Sequence, residues 1–286
     1  MLWNGDSGTL TGCNFINNSI NLTNVNNLDR IGGGAIYWNG AYGNLNNCVF
    51  TTNSFNINGV NLTNVGGGAV YWNGTNGSLS NSIFTNNIAN IFGGAVFWLG
   101  VNGSLISSNS ANSQGGAIYW HGSASNGNLS DCIFTGNSAN NWGGSIFWAG
   151  DNSILTNSTF ISNTANYGGG IYFYSVADNV TLSDCTFTSN SANNDGGAVY
   201  WNCANSNMDN CNFNSNDADN GDNVYWIWTV EEFLNKYNQI NDYDYVYIRN
   251  GEGTPNRTII LNKKGITISG QSTNVIFNAK GGNVHF

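Results

Sequence analysis

The apolar positions of this chain fall into columns that repeat along its length, not into the faces of long helices or strands. Aligned on tryptophan, the marks are Trp3, Trp38, Trp72, Trp98, Trp120, Trp148, Phe173, Trp201 and Trp226, about 22 to 35 residues apart and mostly near 25. Each full unit reads Gly-Gly-Ala-aliphatic-aromatic-Trp, then Asn and Gly, then Leu-x-Asn/Asp-Cys/Ser-x-Phe, then Asn and often Ser-Ala. Such a unit cannot bury its apolar face alone, but stacked copies bury a common core. The pattern predicts an all-β, right-handed parallel β-helix of about eight coils of roughly 25 residues, three short strands to a coil.

Parity within the strands sorts the columns. Phe50, Phe84, Phe134, Phe160, Phe187 and Phe213 follow Cys48, Ser82, Cys132, Ser158, Cys185 and Cys211 by two, so both columns share one face and point inward. The Leu column, from Leu45 to Met208, stands three residues before Cys/Ser, an odd offset that requires a bend. Asn47, Asn81, Asp131, Asn157, Asp184 and Asn210 supply it, since Asn and Asp tolerate the left-handed conformation. A second Asn column, Asn18, Asn53, Asn87, Asn137, Asn163, Asn190 and Asn216, is expected to form an amide ladder between coils about 4.8 Å apart. The double Gly predicts a corner with positive φ or close backbone approach.

Two departures from the period stand out. Between Trp98 and Trp120 the unit is short, which places Ile106 in the Phe column. The segments Asn18 to Gly32 and Asn53 to Gly66 are long, and both contain Asn-Leu-Thr-Asn-Val, so two adjacent coils are expected to project loops from one edge. After Trp226 the repeat stops. Val230 to Tyr237 has helical spacing with early acids, and strands are expected at Asp244–Ile248, Thr258–Leu261, Gly265–Ile268 and Asn274–Phe277. This divides the chain into a repeat domain, 1–226, and a helical cap with the first strands of a second β-helical module, 227–286.

Composition narrows the function classes. Only 8% of residues are charged, 13% are aromatic, and about one residue in five is Asn. The net charge is -9, and no Lys or Arg lies between Arg30 and Lys236, which argues against binding nucleic acid or a membrane surface through a basic patch. No apolar run approaches the ~20 residues that span a bilayer. Met1-Leu2-Trp3 already sits in the strand columns, so the chain reads as part of a longer surface protein.

Gly-Gly-Ala-Ile/Val occurs at 33–36, 67–70, 93–96, 115–118 and 196–199, alongside the Phe-x-x-Asn of the Phe and Asn columns. This pairing resembles the repeat of chlamydial polymorphic outer membrane proteins. The Asn-rich style more closely resembles the adhesin-like surface proteins of methanogenic archaea. The resemblance implies a non-catalytic extracellular adhesin or wall-associated solenoid that meets surface glycans or proteins of another cell; it is specific for architecture and weak for ligand.

The candidate binding residues are Tyr37, Tyr71, Phe97, Tyr119, Phe147, Tyr172, Tyr200 and Tyr225. Each precedes the Trp column by one and so faces the opposite side. If Trp points in, these form an exposed aromatic stripe suited to sugar stacking or protein contact, or one that only stabilises the sheet. No catalytic residue, metal or cofactor is expected. His121 and His285 read as surface residues, the group Asp209, Asp217, Asp219 and Asp222 as a solvated acidic edge, and the six Cys as buried thiols, with Cys13/Cys48 and Cys185/Cys211 close enough to bridge. The rival reading is a carbohydrate-active β-helix enzyme. A lyase needs a cation, which the repeats lack, and Asp131 and Asp184 sit two coils apart in a structural column.

Overall fold

In the computed structural model, which describes residues 1–80, 82–99, 109–111, 114–249, 251–253, 259–260, 264–270, 275–277 and 284–285, the chain winds a parallel β-solenoid. One sheet runs its whole length, eleven strands from Leu2–Trp3 through Ile118–Trp120 to Thr267–Gly270. Every described pair is parallel, and the Trp-sheet strands are in register, Trp72 opposite Trp38 and Trp98, for example; the register shifts once in the pairing of Thr164–Tyr167 with Ser191–Asp195 and once in that of Ser19–Asn26 with Ser54–Val60. Ile36, Val70, Trp38 and Trp72 are fully buried in the lumen, so the inward parity is that expected.

A coil has four strands where the pattern predicts three. The Leu strand (Asn128–Ser130, for example) and the Phe strand (Ile133–Thr135) belong to different sheets. The residue between them is left-handed, φ 55° at Asn47, 56° at Asp131, 49° at Asn157 and 53° at Asp184, and this ends one strand and starts the next. The fourth strand carries Ser-Ala, with Ala89, Ala111, Ala139, Ala165 and Ala192 facing in. Ile106, expected in the Phe column, lies outside the described residues; across that coil the Trp and Ala sheets continue, Trp98 pairing Trp120 and Ala89 pairing Ala111.

The lumen is a set of ladders. Indoles stack at 4.8 Å (Trp38 on Trp72) and 4.6 Å (Trp120 on Trp148), and phenyl rings at 4.8 Å (Phe134 on Phe160) and 4.7 Å (Phe160 on Phe187). Indole N–H groups donate to the backbone of the following turn, Trp38 to Gly40 O at 3.1 Å and Trp148 to Gly150 O at 3.0 Å. The predicted amide ladder is present. Asn163 Oδ1 accepts from the N–H and Nδ2 of Asn137, at 2.9 Å each, while its Nδ2 donates to Phe134 O and Asn190 Oδ1. In the Cys/Ser column the side chain accepts an N–H from the coil before it, Ser158 Oγ from Cys132 N at 3.1 Å, and donates to the carbonyl two residues back. A thiol fills the same position, Cys132 Sγ donating to Ser130 O, which is why the two residue types exchange there.

The Gly pair serves both expected purposes. The first Gly is left-handed, φ 67° at Gly143, and a Cβ on the second, Gly144, would lie 2.0 Å from Gly169 O of the next coil.

The two long segments are not loops. Ser19–Asn26 pairs with Ser54–Val60, and Asp29–Gly32 with Thr63–Gly66, forming a wing two coils thick. Apolar residues alternate along these strands, so the wing encloses its own small core of Phe55, Ile57 and Val65 with Ile20, Leu22 and Leu62 against it.

The helix forms at Val230–Lys236 behind a capping box in which Thr229 and Glu232 exchange hydrogen bonds. Of the later strands, Tyr245–Ile248 and Thr267–Gly270 join the Trp sheet directly, Trp226 opposite Val246 and Trp228 opposite Ile248. The sheet therefore runs unbroken across the expected boundary at 226.

Candidate functional site: an aromatic cleft outside the lumen

The Tyr/Phe stripe stands outside the lumen, as parity requires, but it is not the bare platform expected. Its rings stack face to face along the solenoid: Tyr37 on Tyr71 at 4.8 Å, Tyr71 on Phe97 at 5.0 Å, Phe97 on Tyr119 and Tyr119 on Phe147 at 4.9 Å, Tyr172 on Tyr200 at 4.5 Å, and Tyr200 on Tyr225 at 5.1 Å. In-register pairing at the coil spacing forces this. Each ring covers its neighbour's face, so only edges and hydroxyls are turned outward, and a sugar has no ring face to stack on.

Much of the stripe is also covered. Tyr71 and Phe97 have no exposed surface, and Phe147 and Tyr172 are buried as well; Tyr37, Tyr119, Tyr200 and Tyr225 are half-buried. The cover comes from the column just before the Gly pair, Gly32, Gly66, Phe92, Gln114, Trp142, Tyr167 and Asp195, whose members bridge from coil to coil. The left-handed Gly turns the chain so that this column faces the stripe five residues later. Over the first coils the wing's returning strand packs here, and the Tyr71 hydroxyl donates to Asn64 O at 2.9 Å. Burial raises the Tyr phenols, to about 12 at Tyr119 and Tyr200 and further at Tyr71, so all stay protonated donors at neutral pH.

Midway along the solenoid the wall itself is aromatic. Phe92 lies 4.6 Å from Tyr119, Trp142 lies 6.0 Å from Phe147 and 5.5 Å from Tyr172, and Tyr167 meets Tyr200 edge-on at 5.9 Å. From the opposite side Tyr174 tilts against Phe147 at 5.5 Å and His121 against Phe97 and Tyr119 at 6.3 Å. Trp142, Tyr167, Tyr174, Tyr119 and Tyr200 pack around Phe147, Ala149 and Tyr172 in an apolar cluster separate from the lumen and from the wing. Trp142, Tyr167, Tyr174 and His121 keep part of their surface in solvent; Trp142 stacks on Phe147 and Tyr172, while Tyr167 is edge-on and Tyr174 and His121 are tilted against the stripe.

His121 is therefore not an ordinary surface residue. Its Nδ1 accepts from the Ser123 N–H at 3.1 Å and sits 2.9 Å from Ser123 Oγ, which places the proton of the neutral ring on Nε2. Burial pushes its pKa down. Asp195 stands farther along the wall, held by Asn220 Nδ2 at 2.8 Å, and burial raises its carboxyl.

Behind the aromatic wall lies a shallow groove of about 460 Å³ lined by Ser138, Asn140, Thr164, Asn166, Ser191 and Asn193. Hydroxyls and amides ladder across it, Thr164 Oγ1 to Ser138 Oγ at 3.2 Å and Asn193 Nδ2 to Asn166 Oδ1 at 2.6 Å. It is uncharged, and its lining residues Asn140 and Asn166 stand two and one residues before Trp142 and Tyr167 in the chain.

Asp131 and Asp184 are not brought together: each accepts an amide of its own column, from Asn157 and Asn210. Asp217 and Asp219 are exposed, Asp222 accepts from Ala218 N, and no group of three metal-ligating side chains occurs among the described residues. Sequence reasoning missed the wall, although an aromatic directly before the Gly pair at Phe92, Trp142 and Tyr167 was a readable signal.

No curated protein and no solved structure matches the chain significantly. Residues 68–227, more than half of it, match the family model described as the right handed beta helix region. With its stacked parallel sheets, the chain belongs to the right-handed β-helix family.

Proposed function

We propose that this chain is a non-catalytic binding solenoid of a cell surface, an adhesin or wall-associated protein. It holds a neutral glycan of another cell along the strip formed by the Ser/Asn groove and the aromatic wall. The observation that carries this reading is an uncharged hydroxyl and amide groove whose lining residues Asn140 and Asn166 lie within two residues of the part-exposed rings of Trp142 and Tyr167. Sugars present hydroxyls and apolar C–H faces together, and such a strip answers both. The Tyr stripe is then the rigid backing that fixes the wall, while Trp142 and Tyr167 make the contact. The resemblance to archaeal adhesin-like proteins agrees with this placement outside the cell. The rival, a polysaccharide lyase or glycosidase, finds little support in carboxylates that are engaged in amide ladders.

The test is a glycan array probed with the whole chain, followed by titration of any hit against variants. Trp142→Ala and Tyr167→Ala should each weaken binding about tenfold or more, the loss of roughly 1.4 kcal/mol expected for one stacking contact. Unchanged binding in both would reject the wall as the contact surface. Release of products from any polysaccharide would overturn the non-catalytic reading.

A further inference from the structure

Each coil of a solenoid is held only by the coils on either side of it, so a covalent bond between adjacent coils fixes their stacking directly. Five of the six cysteines lie in one lumenal column, and in that column Cys follows Cys on adjacent coils only twice: Cys13 with Cys48 on the first two coils, and Cys185 with Cys211 on the last two that carry the Phe strand. Between them Cys132 is followed by Ser158. Cys203 stands outside the column, fully enclosed, its thiol pushed by burial up to about 12.

Register sets both pairs directly opposite. Asn14 pairs Val49 and Thr186 pairs Asn212, so the preceding residues are stacked coil on coil, where the flanking phenyl rings lie 4.8 Å (Phe15 on Phe50) and 5.2 Å (Phe187 on Phe213) apart. That spacing falls within the Cα separation a disulfide spans, about 4.4 to 6.8 Å. The sulfurs also lean the right way. Cys48 Sγ lies 3.4 Å from the backbone N of Cys13 and 3.7 Å from Leu10 O of that earlier coil, and Cys211 Sγ reaches back to Leu182 O at 3.9 Å. Each pair combines a part-exposed thiol, Cys13 or Cys211, with a buried one, Cys48 or Cys185.

We infer that Cys13–Cys48 and Cys185–Cys211 are two oxidation sites that close into cross-coil disulfides, each stapling two adjacent coils of the solenoid. The exposed thiolate attacks one sulfur of a low-molecular-weight disulfide, releasing one reagent thiol and leaving a mixed disulfide. The buried partner then loses its proton to water and displaces the second reagent thiol. Two protein S–H bonds are replaced by one S–S bond, and the two electrons leave with the reagent as two thiols. At Cys211 the entry role is assisted: the hydrogen bond from Cys185 holds its pKa below the usual thiol value.

The experiment oxidises the full chain with glutathione disulfide, blocks remaining thiols under denaturing conditions, and maps linked peptides by mass spectrometry. The six free thiols should fall to two, Cys132 and Cys203, with links only between 13 and 48 and between 185 and 211. Cys48→Ser keeps the hydrogen-bonding role that Ser82 and Ser158 play in the same column, so it folds, and it should leave three free thiols with the second link intact. Six titratable thiols after oxidation, links between other pairs, or dimers joined through Cys13 would each overturn the assignment.

Discussion

Asp244 Oδ2 accepts the indole N–H of Trp226 at 2.7 Å, both residues being buried. In earlier coils the same indole position donates to a backbone carbonyl of the following turn, as Trp72 does to Gly74 O. After Trp226 the strand runs on to Trp228 and into the helix, so that carbonyl is not there. The carboxylate of Asp244 takes its place and also accepts Val224 N at 3.1 Å and Asn241 N at 2.8 Å. Asp244→Ala would leave two buried donors and one part-buried one unpaired, a loss of about 3–5 kcal/mol by the usual cost of breaking such a site. Denaturant unfolding followed by Trp fluorescence should show it as an early transition of the coils around Trp226; an unchanged curve would refute this role of Asp244.

The Asn ladder makes a prediction with a pH signature. Asn163 must accept two N–H groups from Asn137 and donate to Phe134 O and Asn190 Oδ1. Asn163→Ala should destabilise by about 2–3 kcal/mol through unpaired buried groups. Asn163→Asp should cost more at neutral pH, because a carboxylate cannot donate and would face two acceptors. Its pKa in the folded chain would be raised, so the deficit shrinks as pH falls toward the ordinary carboxylate value and grows as pH rises through the folded one. Thermal melts of the two variants at pH 4 and pH 7 check the crossing.

These columns were legible in the sequence because in-register stacking makes every lumenal position report the same environment in each coil. Trp, Phe, Leu and Asn recur where the lumen demands them, and parity assigned inside and outside correctly. The exterior obeys no such constraint. Gly32, Gly66, Phe92, Gln114, Trp142, Tyr167 and Asp195 occupy one column, yet no single residue type marks it, so the wall over the stripe stayed hidden. The stripe itself was read with the right parity and the wrong exposure, since adjacency of rings in sequence columns does not tell whether faces or edges turn outward. The wing was misread as loops because its alternation, Ile20-Leu22 and Phe55-Ile57, spans too few residues to stand out beside the repeat.

Two glycines eight residues apart should respond in opposite ways. Gly136 is left-handed at φ 61° with nothing within 4 Å of a built Cβ, and Thr52, Ser162 and Ser189 hold the same conformation in other coils. Gly136→Asn should therefore change stability by less than ~0.5 kcal/mol, since Asn tolerates this region. At Gly144 a Cβ would sit 2.0 Å from Gly169 O and 2.7 Å from Thr164 O, both backbone. Neither can retreat without opening the coil contact, so Gly144→Ala should cost more than ~3 kcal/mol, in the range of severe core strain. Circular dichroism melts of the pair separate a left-handed turn that other residues can take from a close backbone approach that only Gly allows.

The last prediction concerns His121, whose neutral ring rests against Phe97 and Tyr119 with Nδ1 accepting from Ser123 N. Burial lowers its pKa in the folded chain below the 6.5 it has when unfolded. The unfolded state then binds the proton at the higher pH. Stability from this group is fully present above pH 6.5 and is lost as pH falls through that value toward the folded pKa, below which no further loss follows. Because the ring is only partly buried, the effect should stay near or below ~1 kcal/mol. His121→Asn, a residue that Asn73 and Asn202 already place in the same column, should remove the dependence between pH 8 and pH 5.5 while leaving the fold intact. Melting temperatures of the two proteins across that interval decide the matter: parallel curves would mean that protonation of His121 does not disturb the cleft, and a wild-type curve that falls relative to the variant's as pH drops below 6.5 would locate the titrating group there.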